Sequence, residues 1–384
     1  MDKIYIFSAH SVPTQHPNSI RLANLGLIFQ EIGYEVTLFG FDTSETKTFD
    51  YKGIRCITFN IPDRRGIIAN IERGNIMKNR VEDFFKTERA PKIILSSIYN
   101  SPLQRFLINY SKKVGAKMVQ SVCEWFDRSA FHGIKGLFQL INNRFSLYYQ
   151  IPSVKNVITI STLQAQYYNS RGCNTLVIPT LVDIEEYRGI NKSARNDDKL
   201  VIAYAGSPAK KDYIANVIKA IDLLSAEERK KVELHLYGCT EDGLIGLGIK
   251  KEFLQENKES VICHGKIPYS EVKLRISEAD FTVLLRPNKR YANAGFPTKV
   301  GESMACGTPV IANITSDLGK YLIDGANSII CENETPEACA CAIKRAMTIS
   351  SEEKEKMSVN ALDTAGVGFN YITYESSLKD FLSR

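Results

Sequence analysis

The segment Asn293–Asn313 reads NAGFPTKVGESMACGTPVIAN. A Gly-Phe-Pro turn leads into a helix starting near Thr298, and within this otherwise apolar segment stand one lysine, Lys299, and one carboxylate, Glu302. Three residues is about one helical turn, so both side chains can reach a ligand lying along the helix start. The free N–H groups of residues 298–300 and the positive end of the helix dipole favour a negative group there. Gly295 permits close backbone approach, and Pro297 suits the first helical turn. A carboxylate at 302 can accept the two hydrogen bonds that vicinal sugar hydroxyls donate. The competing reading is an ordinary helix-surface ion pair between Glu302 and Lys299. Met304 and Cys306 read as core.

A second constellation is AYAGSPAKKD, residues 203–212. Gly206 lets the chain turn sharply as it leaves a strand. Ser207 offers a hydroxyl, and Lys210 and Lys211 place ammonium groups just before the next helix. That set suits a diphosphate; a solvated loop is the alternative. In the first half, SAHSVPTQHPNSIR (8–21) is a loop with His10 and His16, followed by Asn18 and Ser19, which can cap a helix. SVCEWFDRS (121–129) delivers Glu124, Trp125 and Asp127 just beyond a strand. An aromatic face between two acids suits a sugar, and Glu124 can orient or deprotonate a hydroxyl. Helix-capping acids with Trp125 packed in the core is the equally weighted alternative.

These residues are positioned by two series of alternating strands and helices. The first comprises strands at 3–9, 34–40, IRCITFNI, PKIILSS, 116–122, 156–161 and 175–182, with helices at 19–33 and 68–89. The second comprises strands at 200–206, 232–238, 261–265 and 280–287, then TPVIAN and SIICEN, with helices at 214–225 and 270–279 and a helical tail from about Glu337. Alternation of this kind predicts parallel sheets in an α/β fold. The polar run 188–199 reads as a linker. A chain of 384 residues suits two domains, whose shared ligand site would be the cleft between the carboxyl edges of their sheets.

Other classes are disfavoured. The nine cysteines lack metal-ligand spacing and read as reduced, as in a cytosolic protein. The N-terminus lacks the long apolar run of a signal peptide, and no run of about 18 apolar residues exists to span a membrane. No G-x-G-x-x-G follows the first strand, which argues against a dinucleotide dehydrogenase. Residues 1–180 carry a net +9 and residues 181–384 a net −3. A basic front half attracts phosphate-rich partners or an anionic membrane, but no nucleic-acid motif accompanies it. FHGIKGLFQLINNRFSLYY, within the basic and aromatic stretch 128–150, either lies on a membrane or packs on the sheet.

At GFPTKVGESMACGTPVIAN, with AYAGSPAKKD, LHLYG and HGKIPYSEV in the same order, the second half resembles the retaining glycosyltransferases of family 4, glycosyl transferases group 1. The resemblance implies a GT-B fold: two Rossmann-like doubly wound domains facing across a cleft. It places an N-terminal acceptor domain at 1–185, a nucleotide-sugar domain at 186–365, and a helix at 366–384 returning to the first domain. It assigns Lys211 to the donor diphosphate, with Gly206 and Ser207 beside it, and Glu302 to the ribose hydroxyls. Gly295, Phe296, Pro297 and Thr298 form the loop facing diphosphate and sugar, and Gly238 and Ile267 bracket the base. Where the family carries its first glutamate, this chain has Ala294, leaving Asn293 or Lys299 to meet the sugar. Lys211, Lys299 and Glu124 are the catalytic candidates; His10, Asn18, Trp125 and Asp127 are the acceptor candidates. The expected reaction moves a sugar from a nucleotide sugar, UDP favoured, to a saccharide or lipid-linked saccharide in surface-polysaccharide synthesis. It needs no metal or further cofactor and no nucleic acid. The expected place is the cytoplasm, at the inner face of the membrane. A sugar-nucleotide epimerase and a degenerate nucleotide- or lipid-binding protein are the alternatives.

Overall fold

A computed structural model describes the chain except residues 14–15, 64–66, 129–130, 191–198 and 208–210, and the side chains of 67–70 and 134–135. Lys210 and most of the expected linker therefore lie outside the described residues. The chain divides into two compact units, one of residues 1–181 with 371–384 and one of residues 182–370.

The first unit carries an eight-stranded sheet: β1 (Asp2–Phe7), β2 (Tyr34–Asp42), β3 (Lys47–Tyr51), β4 (Ile54–Asn60), β5 (Ile93–Ser96), β6 (Lys117–Val122), β7 (Asn156–Thr159) and β8 (Asn174–Val177), in the spatial order β3-β4-β2-β1-β5-β6-β7-β8. All pairings are parallel except β3 with β4. Ile4–Phe7 and all of β5 are buried without alternation, as expected where helices cover both faces of a parallel sheet. The edge strand β3, KTFDY, has no apolar pattern and is nearly all exposed, so the sequence gives no cue to it.

Helix boundaries follow local chemistry. Ser101 caps the Pro102–Val114 helix by accepting from the Gln104 N–H, and Gly115 ends it in the left-handed region at φ 70°. The Gly133–Phe145 helix corrects one expectation: it does not bury its apolar face on the sheet. Leu137, Phe138, Ile141 and Phe145 are all about half exposed or more, whereas Leu147 and Ile151 beyond it are buried.

The second unit carries six parallel strands: β9 (Leu200–Ala205), β10 (Val232–Tyr237), β11 (Val261–Gly265), β12 (Phe281–Leu284), β13 (Val310–Asn313) and β14 (Ser328–Cys331), ordered β11-β10-β9-β12-β13-β14. Chain order reverses between β9 and β12. Those two strands pair only at Ile202↔Phe281 and Ala203↔Thr282, while β12 stays paired with β13 as far as Leu284↔Ala312. The sheet thus opens at the carboxyl end of its reversal point, where doubly wound folds take their ligands. Ile214, Val217, Ile218 and Ile221 line one face of the Ile214–Asp222 helix and seat it on this sheet.

Val182 donates its N–H to the Phe369 carbonyl at 2.9 Å, so the chain enters and leaves the second unit side by side. The Glu375–Ser383 helix then buries Leu378 and Phe381 in the first unit's core, and Asn174 donates to the Phe381 carbonyl at 3.0 Å. Six of the nine cysteines are buried, and all are free thiols. Among the described residues no helix is long and apolar enough to cross a membrane. Replacing Phe381 with alanine leaves a cavity in that core and is expected to cost about 3 kcal/mol, read as a lowered urea midpoint; an unchanged midpoint would show that the tail helix is not part of the core.

Candidate functional site

The turn after β9, the end of β12 and the start of the Thr298–Ala305 helix converge on Asp212. Its side chain is only 11% exposed, and a buried carboxylate needs compensation. Lys299 Nζ supplies it at 2.7 Å, the Tyr204 hydroxyl donates to Oδ2 at 3.0 Å, and Arg286 Nε lies 3.9 Å from Oδ1. Burial pushes the Asp212 carboxyl up, but the charges of Lys299 and Arg286 and the Tyr204 hydrogen bond outweigh it and hold the group below the usual carboxylate range. Burial, reinforced by Asp212, drives the Tyr204 hydroxyl far above its ordinary value, so it keeps the proton it donates. Arg286 is fixed from its backbone: its N–H donates to Asn313 Oδ1, and Asn313 Nδ2 donates to its carbonyl, both at 2.8 Å.

The glycines here answer to close approach. Gly206 has φ 147°, and a Cβ on it would lie 2.6 Å from Lys299 Cε and 2.9 Å from Nζ. Gly238 has φ 89°, and a Cβ there would lie 2.9 Å from the Gly206 carbonyl. The turns are stitched together by Gly206 N–H to the Tyr237 carbonyl at 2.8 Å and Gly238 N–H to the Gly265 carbonyl at 2.6 Å. Gly295, by contrast, is extended at φ −89°, ψ 173°, a conformation open to any residue.

Lys299 does not pair with Glu302, so the ion-pair reading of that spacing is corrected: the lysine runs over Gly206 to Asp212. Among the described residues the Glu302 carboxyl has no hydrogen-bond or ion-pair partner. Burial raises its pKa, opposed by the charges of Lys299 and Lys273. A cavity of about 20 Å³, the size of a single water, is lined by Tyr204, Ile276, Val283, Lys299 and Glu302. Pro297, the N-cap residue of the Thr298–Ala305 helix, makes no side-chain hydrogen bond to its first N–H groups. Lys211 sits partly exposed in the turn beside Asp212, with Ser207 exposed before it.

Several expected contacts fall elsewhere. The Phe296 ring is core, edge-on to Tyr321 and Phe369, each at 5.7 Å between centroids. The Asn293 carboxamide is committed internally, donating to Asn288 Oδ1 at 2.7 Å and accepting from the Ser316 N–H at 2.8 Å. Ala294 is fully buried. Ile267 is half-buried against the small cluster that includes Tyr237 and Ala279. Sequence reading missed Tyr204, Asp212 and Arg286. The signal for Arg286 was a charge ending the apolar run FTVLL, and for Asp212 an acid closing the lysine pair.

In the first unit, the His10 and His16 rings stack at 3.7 Å, and His16 Nδ1 accepts from the Asn18 N–H at 3.3 Å. Asn18 Nδ2 donates to Ser97 Oγ at 2.7 Å, tying the start of the Pro17–Glu31 helix to the loop after β5. Burial lowers both histidines, and the charge of Glu124 opposes it at each. Glu124 and Asp127 are exposed. Trp125 is 5% exposed and edge-on to Tyr167 at 4.7 Å, which corrects the sugar-stacking expectation in favour of core packing.

Two α/β units, each with a doubly wound sheet that is parallel except for β3, have the GT-B fold shared with the solved structures named below. Residues 185–364, a little under half of the chain, match the family described as Glycosyl transferases group 1, which supports a glycosyltransferase enzyme. No curated protein matches the sequence. Among solved structures it is similar to sucrose-phosphate synthase from Thermosynechococcus elongatus (TM-score 0.75, 15% identity, covering 100% of this chain and 98% of that one). It is also similar to trehalose-6-phosphate synthase OtsA (TM-score 0.74, 10% identity, 100% and 99%). A third is Anabaena HepE in complex with UDP and glucose (TM-score 0.64, 15% identity, 100% of both chains). At these identities the likeness establishes the fold.

Gly206→Ala is expected to push Lys299 off Asp212, lowering transfer activity at least about tenfold and, through backbone strain and an uncompensated buried carboxylate, lowering the melting temperature as well. Near-normal activity would show that the contact over Gly206 is not needed.

Proposed function

We propose that the chain moves a sugar from a nucleoside-diphosphate sugar, a UDP-sugar by preference, to an acceptor hydroxyl with retention at the anomeric carbon. The observation that carries the reading is the pair of fixed cations, Lys299 and Arg286, at the open reversal point of the second sheet, beside a helix start whose N-cap residue, Pro297, offers it no side-chain hydrogen bond. As the glycosidic bond loosens, negative charge gathers on the leaving diphosphate. Lys211, Lys299 and the first-turn N–H groups stabilise that charge most in the transition state. The unpartnered Glu302 carboxyl receives the ribose hydroxyls. Gly238 and Ile267 bracket the base, and the Gly295–Thr298 backbone faces diphosphate and sugar. HepE holds UDP and glucose on the same fold, which supports the choice of nucleotide.

The acceptor, a saccharide or lipid-linked saccharide of surface-polysaccharide synthesis, is met in the first unit by His10, Asn18 and Asp127. Glu124 orients its hydroxyl, and the departing diphosphate takes the proton. No metal ion or added cofactor takes part in this scheme. Buried Ala294 supplies no carboxylate for the sugar, and this favours as second reading a protein that binds nucleotide without transferring. Calorimetry and turnover together separate the two. Lys211→Ala should lower turnover about tenfold or more, and Glu302→Ala should weaken UDP binding. Nucleotide binding with no transfer to any acceptor would establish the second reading, and unchanged UDP affinity in Glu302→Ala would refute the ribose assignment.

The enzyme works from the cytoplasm at the inner membrane face, resting on the exposed side of the Gly133–Phe145 helix. The sequence 128–150 holds three basic and no acidic residues, and the helix exposes Leu137, Phe138, Ile141 and Phe145, a combination that suits anionic lipid. Vesicles containing phosphatidylglycerol should sediment the wild type and release Phe138→Ser with Ile141→Ser; equal sedimentation of both proteins would refute this surface.

A further inference from the structure

The donor reading above treats Lys299 as a cation available to the diphosphate, yet its ammonium is already engaged. It lies 2.7 Å from Asp212 Oδ2, and that oxygen is held in place by the Tyr204 hydroxyl. The site thus contains three cations, Lys211, Lys299 and Arg286, and two carboxylates, of which Asp212 rather than Glu302 is the one in contact with Lys299. The Asp212 carboxylate is largely out of water, while the Lys299 side chain is 31% exposed and keeps donors free for a second partner. A carboxylate fixed against a phosphate-binding lysine occupies one of its hydrogen bonds and cancels part of its field. Any incoming dianion must share the ammonium with it.

We propose that Asp212 is an internal counter-ion that competes with the donor's diphosphate for Lys299, and so sets how tightly the nucleoside diphosphate product is held. It is a positioning residue: it acts through Lys299 and touches no substrate. The arrangement keeps the lysine extended over Gly206 when the site is empty, and it weakens the grip on the diphosphate once the sugar has left. Release of a doubly charged product from cations with no such counter-ion would otherwise be slow. The proposal rests on the donor reading, since it presupposes that a diphosphate reaches Lys299.

The sign of one measurement separates this role from a structural one. A carboxylate that merely braces the site would, on removal, loosen Lys299 and weaken anion binding. A competing carboxylate would, on removal, strengthen it. Calorimetry with UDP and with inorganic pyrophosphate on wild type and Asp212→Asn is expected to show about fivefold tighter binding of both by the variant, with a lower turnover limited by product release. Equal or weaker binding by the variant overturns the proposal. Wild type that binds neither probe overturns the donor reading itself and this inference with it. Because Asp212 also neutralises buried Arg286, the variant can fail to fold. The second measurement therefore uses wild type alone, as a crystal soaked with UDP. Lys299 Nζ bridging Asp212 and a phosphate oxygen, or transferred to the phosphate, supports the proposal. Lys299 still on Asp212 with no phosphate oxygen in hydrogen-bond reach overturns it.

Discussion

A carboxylate taken almost out of water must be answered by positive charge and hydrogen-bond donors, and in this protein the answer to Asp212 comes from three separate pieces of chain. Tyr204 belongs to β9, Arg286 follows β12, and Lys299 lies in the helix after the Gly-Phe-Pro turn. Each is brought in because β9 and β12 part after two paired residues, leaving room at their carboxyl ends. Had the strands stayed paired to their ends, these side chains would have no space to meet. The ionic cluster and the sheet topology are therefore two aspects of one constraint. The charges hold the turns at the opening, and the opening lets the charges converge.

The glycines at this site show how little slack the arrangement has. Gly206 is set by the lysine that crosses it, and Gly238 by the carbonyl of Gly206. A methyl group at either position meets atoms within 3 Å, so each fixes the next loop along. This chain of contact ties the β10 turn, remote from the ionic cluster in sequence, to the position of Lys299. The first unit uses a softer device at the equivalent edge, with Asn18 bridging to Ser97 beside two stacked imidazoles.

Much of this was readable from residue order. The parallel strands were all visible as apolar runs; the strand that escaped is β3, which is antiparallel and, as a short exposed edge strand, has no burial pattern to show. The helix start at Thr298 was legible because Pro297 and the charge spacing mark it. What failed were statements about which way side chains face. Lys299 and Glu302 are one turn apart, but the sequence does not reveal that a carboxylate 87 residues upstream outbids Glu302 for the lysine. Trp125 between two acids looked like a sugar platform, but its ring turns inward onto Tyr167, a contact 42 residues away in the chain. Asp212 and Arg286 were overlooked because their roles arise only when distant strand ends meet.

The side-by-side passage of the chain at Val182 and Phe369 makes the second unit an insertion within the first. The core that receives Leu378 and Phe381 waits on 189 intervening residues before it can close. During synthesis the second unit, being continuous, can fold as soon as it emerges, whereas the earlier-made unit stays open along β8 and the helix at Pro17–Glu31 until residues 371–384 arrive. The oldest part of the nascent chain is thus the last to be finished, and it is the part that chaperones would have to shield longest.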